Sequence, residues 1–218
     1  MNRNSFYYRK LHSLLGVIPL GAFLIEHLLT NYEAFNKGKE GFIEAVFWIR
    51  GLPMVLALEI FFIWLPLLYH GVYGLYVAYQ SRNNVSRYGT FRNVMFMLQR
   101  VTGVVTFVFV TWHIYNTRFQ ITLGDVTYVG LAEHMHGIAS NPLYFALYCI
   151  GIIAAVFHFS NGMWSFLVSW GITVGPRAQR VSTFVWMIVF VTVSTMFILS
   201  LSAFTDESFA LLVDSVTT

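Results

Sequence analysis

The sequence contains a single cysteine, Cys149, and it lies inside an apolar run of the chain. One cysteine cannot form an intrachain disulfide, and it excludes covalent attachment of a cofactor through a Cys-x-x-Cys-His motif. Charged residues are also scarce, because they make up 11% of the chain, whereas soluble domains carry about 25%. These shortages place the chain well outside the soluble average.

The net charge of +3 is too small, and too dispersed, to indicate nucleic-acid binding. Most of the charged residues lie between the long apolar runs, where they are typical of membrane topology signals. We therefore expect no nucleic-acid partner and expect lipid as the solvent of most of the chain.

Five apolar runs are long enough to cross a hydrocarbon core of about 30 Å, which takes about 20 helical residues. The predicted spans are 11–32, 53–79, 94–118, 142–170 and 181–204. The first run lacks a small-residue cleavage site, so it is interpreted as a retained helix and not as a signal peptide. Pro19 and Pro66 fall inside spans and predict local kinks. The sequence predicts an all-α membrane protein whose residues 1–218 form one membrane domain.

The basic residues predict the orientation of these spans. One side, which includes the N-terminus, carries Arg3, Arg9, Lys10, Arg82, Arg87, Arg92, Arg100, Arg177 and Arg180. The opposite side carries only Lys37, Lys39, Arg50 and Arg118. By the positive-inside rule the N-terminus is cytoplasmic and the C-terminus lies outside.

Four of the seven histidines lie within predicted spans, one in each of the first four: His27, His70, His113 and His158. An ionisable residue inside a span indicates a functional site by default. A lone buried histidine is more often a neutral imidazole bonded to a neighbouring helix. One histidine in each of four consecutive helices is much harder to explain in that way.

The depths of these histidines sort them into two pairs. His27 and His113 lie about 24–28 Å from the cytoplasmic edge, at about 1.5 Å per residue. Helices two and four run in the opposite direction, so His70 and His158 lie about 24 Å below the outer surface. We therefore expect His27 opposite His113 (the outer pair) and His70 opposite His158 (the inner pair). In a four-helix bundle this arrangement suits two stacked macrocycles, each bound by two imidazoles.

Glycines show a weak internal repeat around these histidines. Gly16 and Gly103 precede the outer histidines by eleven and ten residues, and Gly74 and Gly162 follow the inner histidines by four. Small residues there would let a flat porphyrin approach the backbone, although tight helix packing explains glycines equally well.

Histidine pairs without nearby cysteines favour haem over other metal centres. Zinc and non-haem iron need three or four converging ligands, commonly with carboxylates or thiolates. The predicted cofactors are therefore two b-type haems, with both axial positions filled and an electron-transfer role. His12 lies close to the inner interface and its role is open, whereas His134 and His136 are interpreted as solvated surface.

Four segments carry a family resemblance: residues 8–16 (YRKLHSLLG), 99–103 (QRVTG), 158–166 (HFSNGMWSF) and 170–173 (WGIT). They are similar to the cytochrome b558 subunits of succinate dehydrogenase from Bacillus and its relatives. The resemblance covers the chain from about residue 6 to the fifth span and includes all four span histidines. The QRVTG segment also resembles the His-Arg-Val-Ser-Gly segment of other complex II anchors, whose arginine and serine serve a quinone site. Gln99 replaces the histidine of that motif here.

The resemblance implies a five-helix, dihaem, quinone-reactive anchor in the bacterial plasma membrane, part of an enzyme of the tricarboxylic acid cycle. Its implied partners are a flavoprotein with covalent FAD, which oxidises succinate, and an iron–sulfur subunit, both cytoplasmic. Electrons would pass from the iron–sulfur clusters to the inner haem, then to the outer haem and to menaquinone. No succinate chemistry is expected on this chain itself.

Several polar residues are candidates for secondary roles. Glu26 and Glu59 lie at the outer ends of their spans and are candidates for quinone protonation, and snorkelling to the interface is the alternative. Glu59 lies deeper and is the better candidate by depth. Arg9, His12 and Arg100 are candidate propionate or quinone contacts, and plain anchoring of the arginines is equally compatible with the sequence.

Other functions stay open at this point. The same chemistry would suit the anchor of a fumarate reductase, or the cytochrome b subunit of a hydrogenase or formate dehydrogenase. A transporter or proton channel, in which the histidines relay protons, belongs to a third class. The sequence does not set the direction of the reaction.

Overall fold

The computed structural model describes residues 3–82 and 84–210, with side chains from residue 5 onward. Every regular element in these two ranges is helical. Five helical stretches are long and apolar enough to cross a membrane, which confirms the predicted all-α class with five spans. Numbered in chain order as spans 1 to 5, they are Ser5–Arg50, Val55–Gln80, Phe91–Leu123, Pro142–Ser169 and Pro176–Ala203.

The helices begin at capping residues and at prolines that the sequence supplies. In chain order they are α1 (Arg3–Val17), α2 (Pro19–Arg50), α3 (Val55–Leu58), a π segment (Glu59–Trp64), α4 (Leu65–Gln80), α5 (Phe91–Ile114), a second π segment (Tyr115–Phe119), α6 (Gln120–Leu123), α7 (Leu131–Ala139), α8 (Pro142–Ser169), α9 (Pro176–Ala203) and a 3₁₀ turn (Glu207–Phe209). The Thr90 and Asn141 side chains accept hydrogen bonds from the first amides of α5 and α8, which stabilises both starts.

Both intramembrane prolines coincide with departures from regular α-helix. The break between α1 and α2 falls at Ile18, directly before Pro19. A π segment precedes Pro66, and there the Leu65 N–H donates to the Ile60 carbonyl, five residues back. Proline has no N–H to donate, so the helix changes its hydrogen-bond register beside it.

The first span is longer as a helix than the hydropathy of residues 11–32 predicts. Helix α2 continues to Arg50 and includes Gly38, whose φ of 71° lies in the left-handed region. Glycine adopts that conformation without a steric cost, so the chain turns there and continues as helix. Beyond the turn, Phe42 is buried against Phe204 with ring centroids 4.9 Å apart. Residues 33–50, predicted as a loop, are therefore mainly helical.

Spans 1 to 4 pack around one another, and span 5 lies against their side. Helix α8 contacts α1, α5 and α9, while α4 contacts α1 and α5. Helix α9 packs along α2 and α8, where Leu28, Val156 and Leu201 are buried. The first four spans therefore enclose the histidines, and the fifth covers spans 1 and 4.

Helix α7 covers the outer end of the bundle. Its residues Ala132 and Met135 are buried, and the helix contacts α2, α8 and the 3₁₀ turn. The interpretation of His134 and His136 as solvated surface is wrong, because both are half-buried in this helix. The His134 and His136 rings bond to the Asn116 and Phe204 carbonyl oxygens, at 2.6 and 2.8 Å. The buried residues Ala132, Met135 and Ile138 recur every three positions, which places them together on one face of α7 against the bundle.

Candidate functional site

The inner pair is formed by His70 of α4 and His158 of α8. Their ring centroids lie 6.0 Å apart and their planes are inclined by 79°. The depths of these residues in the sequence predict this pairing, and the structure places the two rings together across the bundle.

Each inner histidine has one ring nitrogen held by a backbone carbonyl of the facing helix. Nδ1 of His70 lies 2.9 Å from the His12 oxygen, and Nδ1 of His158 lies 3.0 Å from the Gln99 oxygen. A carbonyl only accepts hydrogen bonds, so Nδ1 carries the hydrogen in both rings. Nε2 is then the nitrogen with a lone pair, which is the arrangement that metal-ligating histidines adopt.

Glycines let both inner imidazoles lie directly against the facing backbone. A Cβ on Gly16 would lie 2.6 Å from Nδ1 of His70, and a Cβ on Gly103 would lie 2.8 Å from Cε1 of His158. Neither distance leaves room for a side chain. Gly16 and Gly103, which the sequence groups with the outer histidines, therefore allow the close approach of the inner imidazoles.

His12 belongs to the inner site. Its ring stacks on the His70 ring with centroids 4.1 Å apart and an interplanar angle of 5°. Its Nε2 is buried and has no hydrogen-bond partner among the described residues. Arg9 is exposed and Arg100 half-buried, and neither guanidinium forms a hydrogen bond or ion pair within the described chain.

Gln99 and Asn161 form a second polar contact at the inner site. The Gln99 amide donates to the His158 carbonyl at 2.9 Å, and the Asn161 amide donates to Gln99 Oε1 at 2.7 Å. The sequence presents Gln99 only as a departure from a motif and gives no reason to select Asn161. His12 and Gln99 each precede a glycine by four residues, and this shared spacing is the sequence signal that identifies Gln99.

The outer pair is formed by His27 of α2 and His113 of α5. Their ring centroids lie 5.8 Å apart and their planes are inclined by 71°. Nδ1 of His113 lies 3.1 Å from the hydroxyl of Tyr148, a tyrosine that is only 3% exposed. The Asn31 amide donates to the His27 carbonyl at 2.8 Å. Tyr148 lies in an apolar run of the sequence, and nothing in the sequence distinguishes it from the packing residues around it.

The two acids near the outer pair have different partners. Glu59 forms ion pairs with Arg118 at 3.0 Å and with Arg50 at 3.8 Å. Glu26 precedes His27 in the chain and accepts a hydrogen bond from the Thr30 hydroxyl at 2.7 Å. Glu59 therefore joins spans 1, 2 and 3, while Glu26 has a hydroxyl partner and no basic partner among the described residues.

Both histidine pairs fit a metal held by two axial imidazoles. A metal–imidazole bond is about 2 Å long and the ring centre lies roughly 1 Å further away, so opposed rings have centres about 6 Å apart. The spacings of 5.8 and 6.0 Å match that value. In the described part of the chain, no group of three or more His, Cys, Asp or Glu side chains has metal-binding geometry. The donor sets thus suit haem, whose macrocycle supplies the remaining four ligands.

Comparison with known proteins gives two matches. The family described as "Succinate dehydrogenase/Fumarate reductase transmembrane subunit" matches residues 82–199. The succinate dehydrogenase cytochrome b558 subunit of Bacillus subtilis (strain 168) is 48% identical over 200 residues, which cover 91% of this chain and 96% of that protein. The match therefore extends across nearly all of both chains, including the first two spans.

Proposed function

The chain belongs to the succinate dehydrogenase/fumarate reductase transmembrane subunit family, and we propose that it conducts electrons across the bilayer through two b-type haems. His70 and His158 hold the inner haem, and His27 and His113 hold the outer one. The observation that carries this proposal is the meeting of the four histidines in two pairs, at 6.0 and 5.8 Å. When bound between two imidazoles, haem supplies reversible one-electron chemistry at an iron with no free coordination position.

The protein residues contribute the orientation of the imidazoles. The carbonyls of His12 and Gln99 hold the inner imidazoles with Nε2 directed away from the hydrogen bond. The Tyr148 hydroxyl lies 3.1 Å from Nδ1 of His113 and restrains that ring on the outer side. The carbonyl partners of the inner ligands set the tautomer and raise the basicity of the ligand.

The partners are inferred to lie on the side of the basic residues. The relative in Bacillus subtilis is named as a subunit of succinate dehydrogenase. A flavoprotein with FAD and an iron–sulfur subunit would dock on the cytoplasmic side, where the exposed Arg9 belongs to a surface rich in arginine. Electrons from succinate would then reach the inner haem first and leave from the outer haem to menaquinone.

We infer that Glu26 is the better placed acid for quinone protonation, which reverses the order expected from depth. The Glu59 carboxylate is occupied by Arg118 and Arg50. Glu26 lies next to an outer ligand in the chain and has only the Thr30 hydroxyl as a partner. A carboxyl group beside the quinone would supply the protons that accompany its two-electron reduction.

Arg9, His12 and Arg100 are assigned to the surroundings of the inner haem. His12 contacts an inner ligand directly. The two guanidinium groups form no ion pair within the described chain, so they are available to haem propionates or to the iron–sulfur subunit. Family membership favours an anchor subunit of succinate dehydrogenase over the anchor of a hydrogenase or formate dehydrogenase, and over a proton-relay transporter.

Purification of the complex with its partners tests the proposal. The reduced-minus-oxidised optical spectrum should show b-type bands from two components, and succinate should reduce both of them. Succinate dehydrogenase activity should copurify with the chain. A chain that lacks b-type bands, or that copurifies with hydrogenase in place of a flavoprotein, would overturn the proposal.

A further inference from the structure

Four positions of spans 1 and 2 recur in spans 3 and 4 at an offset of 87 or 88 residues. They are His12, Gly16, His70 and Gly74 in the first helical hairpin, and Gln99, Gly103, His158 and Gly162 in the second. Three of the four positions keep the same residue. The first position changes from histidine to glutamine.

The repeated positions make repeated contacts. The first position supplies its carbonyl to the Nδ1 of the inner ligand, at 2.9 Å in His12–His70 and 3.0 Å in Gln99–His158. The glycine four residues later lies against the same imidazole in both hairpins.

A reciprocal contact runs from the ligand helix back to the first position. A Cβ on Gly74 would lie 3.0 Å from Nε2 of His12, and a Cβ on Gly162 would lie 3.1 Å from Nε2 of Gln99. The side chains of His12 and Gln99 therefore occupy equivalent places, each over the glycine one turn after an inner ligand.

The two hairpins differ in how this side chain acts on its ligand. The His12 ring lies flat on the His70 ring, at 4.1 Å and 5°. The Gln99 amide has no ring to stack: its nitrogen donates to the His158 carbonyl at 2.9 Å and lies 3.2 Å from Nδ1 of His158, and its oxygen accepts from Asn161. Tyr73 stands at the position equivalent to Asn161, and its ring lies 5.7 Å from the His12 ring.

We propose that His12 and Gln99 are matched positioning residues of the inner haem site, and that the His12 ring fixes the plane of the His70 imidazole. The His12 carbonyl holds Nδ1 of His70 but leaves the imidazole ring free to rotate about that hydrogen bond. The stacked His12 ring removes this freedom, because a turned imidazole would collide with it. The proposal rests on the proposed function, since it assumes that His70 and His158 are haem ligands.

The angle between two axial imidazole planes determines the electron paramagnetic resonance spectrum of an oxidised low-spin haem. The rings of His70 and His158 are inclined by 79° and those of His27 and His113 by 71°. A change in the His70 plane alone would move the signal of the inner haem. The signal of the outer haem in the same sample is then an internal control.

The test uses the whole complex with His12→Leu, which removes the aromatic ring and keeps a side chain of similar volume. We expect the largest g value of the inner haem to shift while the outer signal stays in place; selective loss of the inner haem would also support the proposal. The matched control is His136→Leu, in which both signals should equal those of the wild type.

An inner signal identical to that of the wild type would overturn the proposal, as would equal disturbance of both haems. If the complex with His12→Leu does not assemble, the test uses His12→Gln. This variant gives the first hairpin the glutamine that the second hairpin has at the equivalent position, Gln99. It should retain the inner haem with a shifted signal. A wild-type complex without two b-type haems would overturn the proposed function itself, which separates the two failures.

Discussion

The inner and outer histidine pairs differ in what holds the second nitrogen of each ligand ring. In the inner pair, backbone carbonyls of the facing helices accept from both rings, at 2.9 and 3.0 Å. In the outer pair, His113 contacts the Tyr148 hydroxyl at 3.1 Å, and the Asn31 amide lies near the His27 ring at 3.4 Å. A substitution can remove the Tyr148 hydroxyl, but it cannot remove a backbone carbonyl. The hydrogen-bond acceptors of the inner ligands thus belong to the backbone, whereas the polar partners of the outer ligands are individual side chains.

The surroundings of the two pairs differ in the same sense. The inner rings lie against glycines, so the backbones of neighbouring helices set their positions. The outer ring of His113 contacts Phe109, which is stacked on it at 5.9 Å, and Tyr148, which meets it edge-on at 5.6 Å. Packing by large side chains tolerates small changes, whereas direct backbone contact does not.

The largest expected effect is the loss of the inner haem in Gly16→Ala. The new methyl group would lie 2.6 Å from Nδ1 of His70, and the carbonyl bond prevents that ring from moving away. Overpacking of this kind costs about 1–3 kcal/mol. The optical spectrum of the purified complex should retain the outer component alone.

The matched variant on the outer side is Gly151→Ala. Its methyl group would collide with the ring of Phe109, which is stacked on His113 but is not a ligand. The ring must shift, so the disturbance reaches the outer ligand only through Phe109, and less haem should be lost than in Gly16→Ala. Equal loss of haem in the two alanine variants would contradict the difference between a backbone-fixed site and a side-chain-fixed site.

Glu26→Gln should separate electron transfer from quinone reduction. Both haems should bind and succinate should still reduce them, since Glu26 is not a ligand. Quinone reduction should fall by about 100-fold, which is typical of the loss of a general acid or base. Steady-state assays with a menaquinone analogue and with a direct haem readout measure the two steps. Unchanged quinone reduction would remove Glu26 from the quinone site.

Tyr148→Phe should weaken the outer site alone. The substitution removes the hydroxyl that contacts Nδ1 of His113 and leaves the aromatic packing in place. Loss of such a partner typically lowers metal affinity by about 10- to 100-fold. Haem content after extended dialysis, with redox titration of each component, measures the effect. A change in the inner component as large as that in the outer would contradict the account.

Glu59→Gln should give the smallest effect. It removes the ion pairs with Arg118 and Arg50, and partly exposed pairs of this kind contribute about 1 kcal/mol or less. The melting temperature of the complex should fall slightly, with both haem spectra and quinone reduction unchanged. A marked loss of quinone reduction would return Glu59 to the place that its depth in the sequence predicts.

Hydropathy and the depths of His27, His70, His113 and His158 predict the five spans and the two pairings. These features follow from the thickness of the bilayer and the constant rise of a helix, so they are readable from residue positions alone. The spacing of the glycines also carries information, because Gly16 and Gly103 lie against the inner imidazoles.

Other features depend on contacts that a single sequence does not reveal. The continuation of α2 to Arg50 depends on packing outside the hydrocarbon core, where hydropathy carries no signal. His134 and His136 bond to carbonyls of distant segments. Tyr148 differs from its apolar neighbours by one hydroxyl, and only the position of His113 gives that group a role.

The central proposal is that each histidine pair holds its own haem. The most direct measurement is the haem content per chain, with optical resolution of the two components, in wild-type, His70→Leu and His27→Leu complexes. The account predicts two haems in the wild type, the outer component alone in His70→Leu, and the inner component alone in His27→Leu. Two intact haems in either variant, or loss of the same component from both, would contradict it.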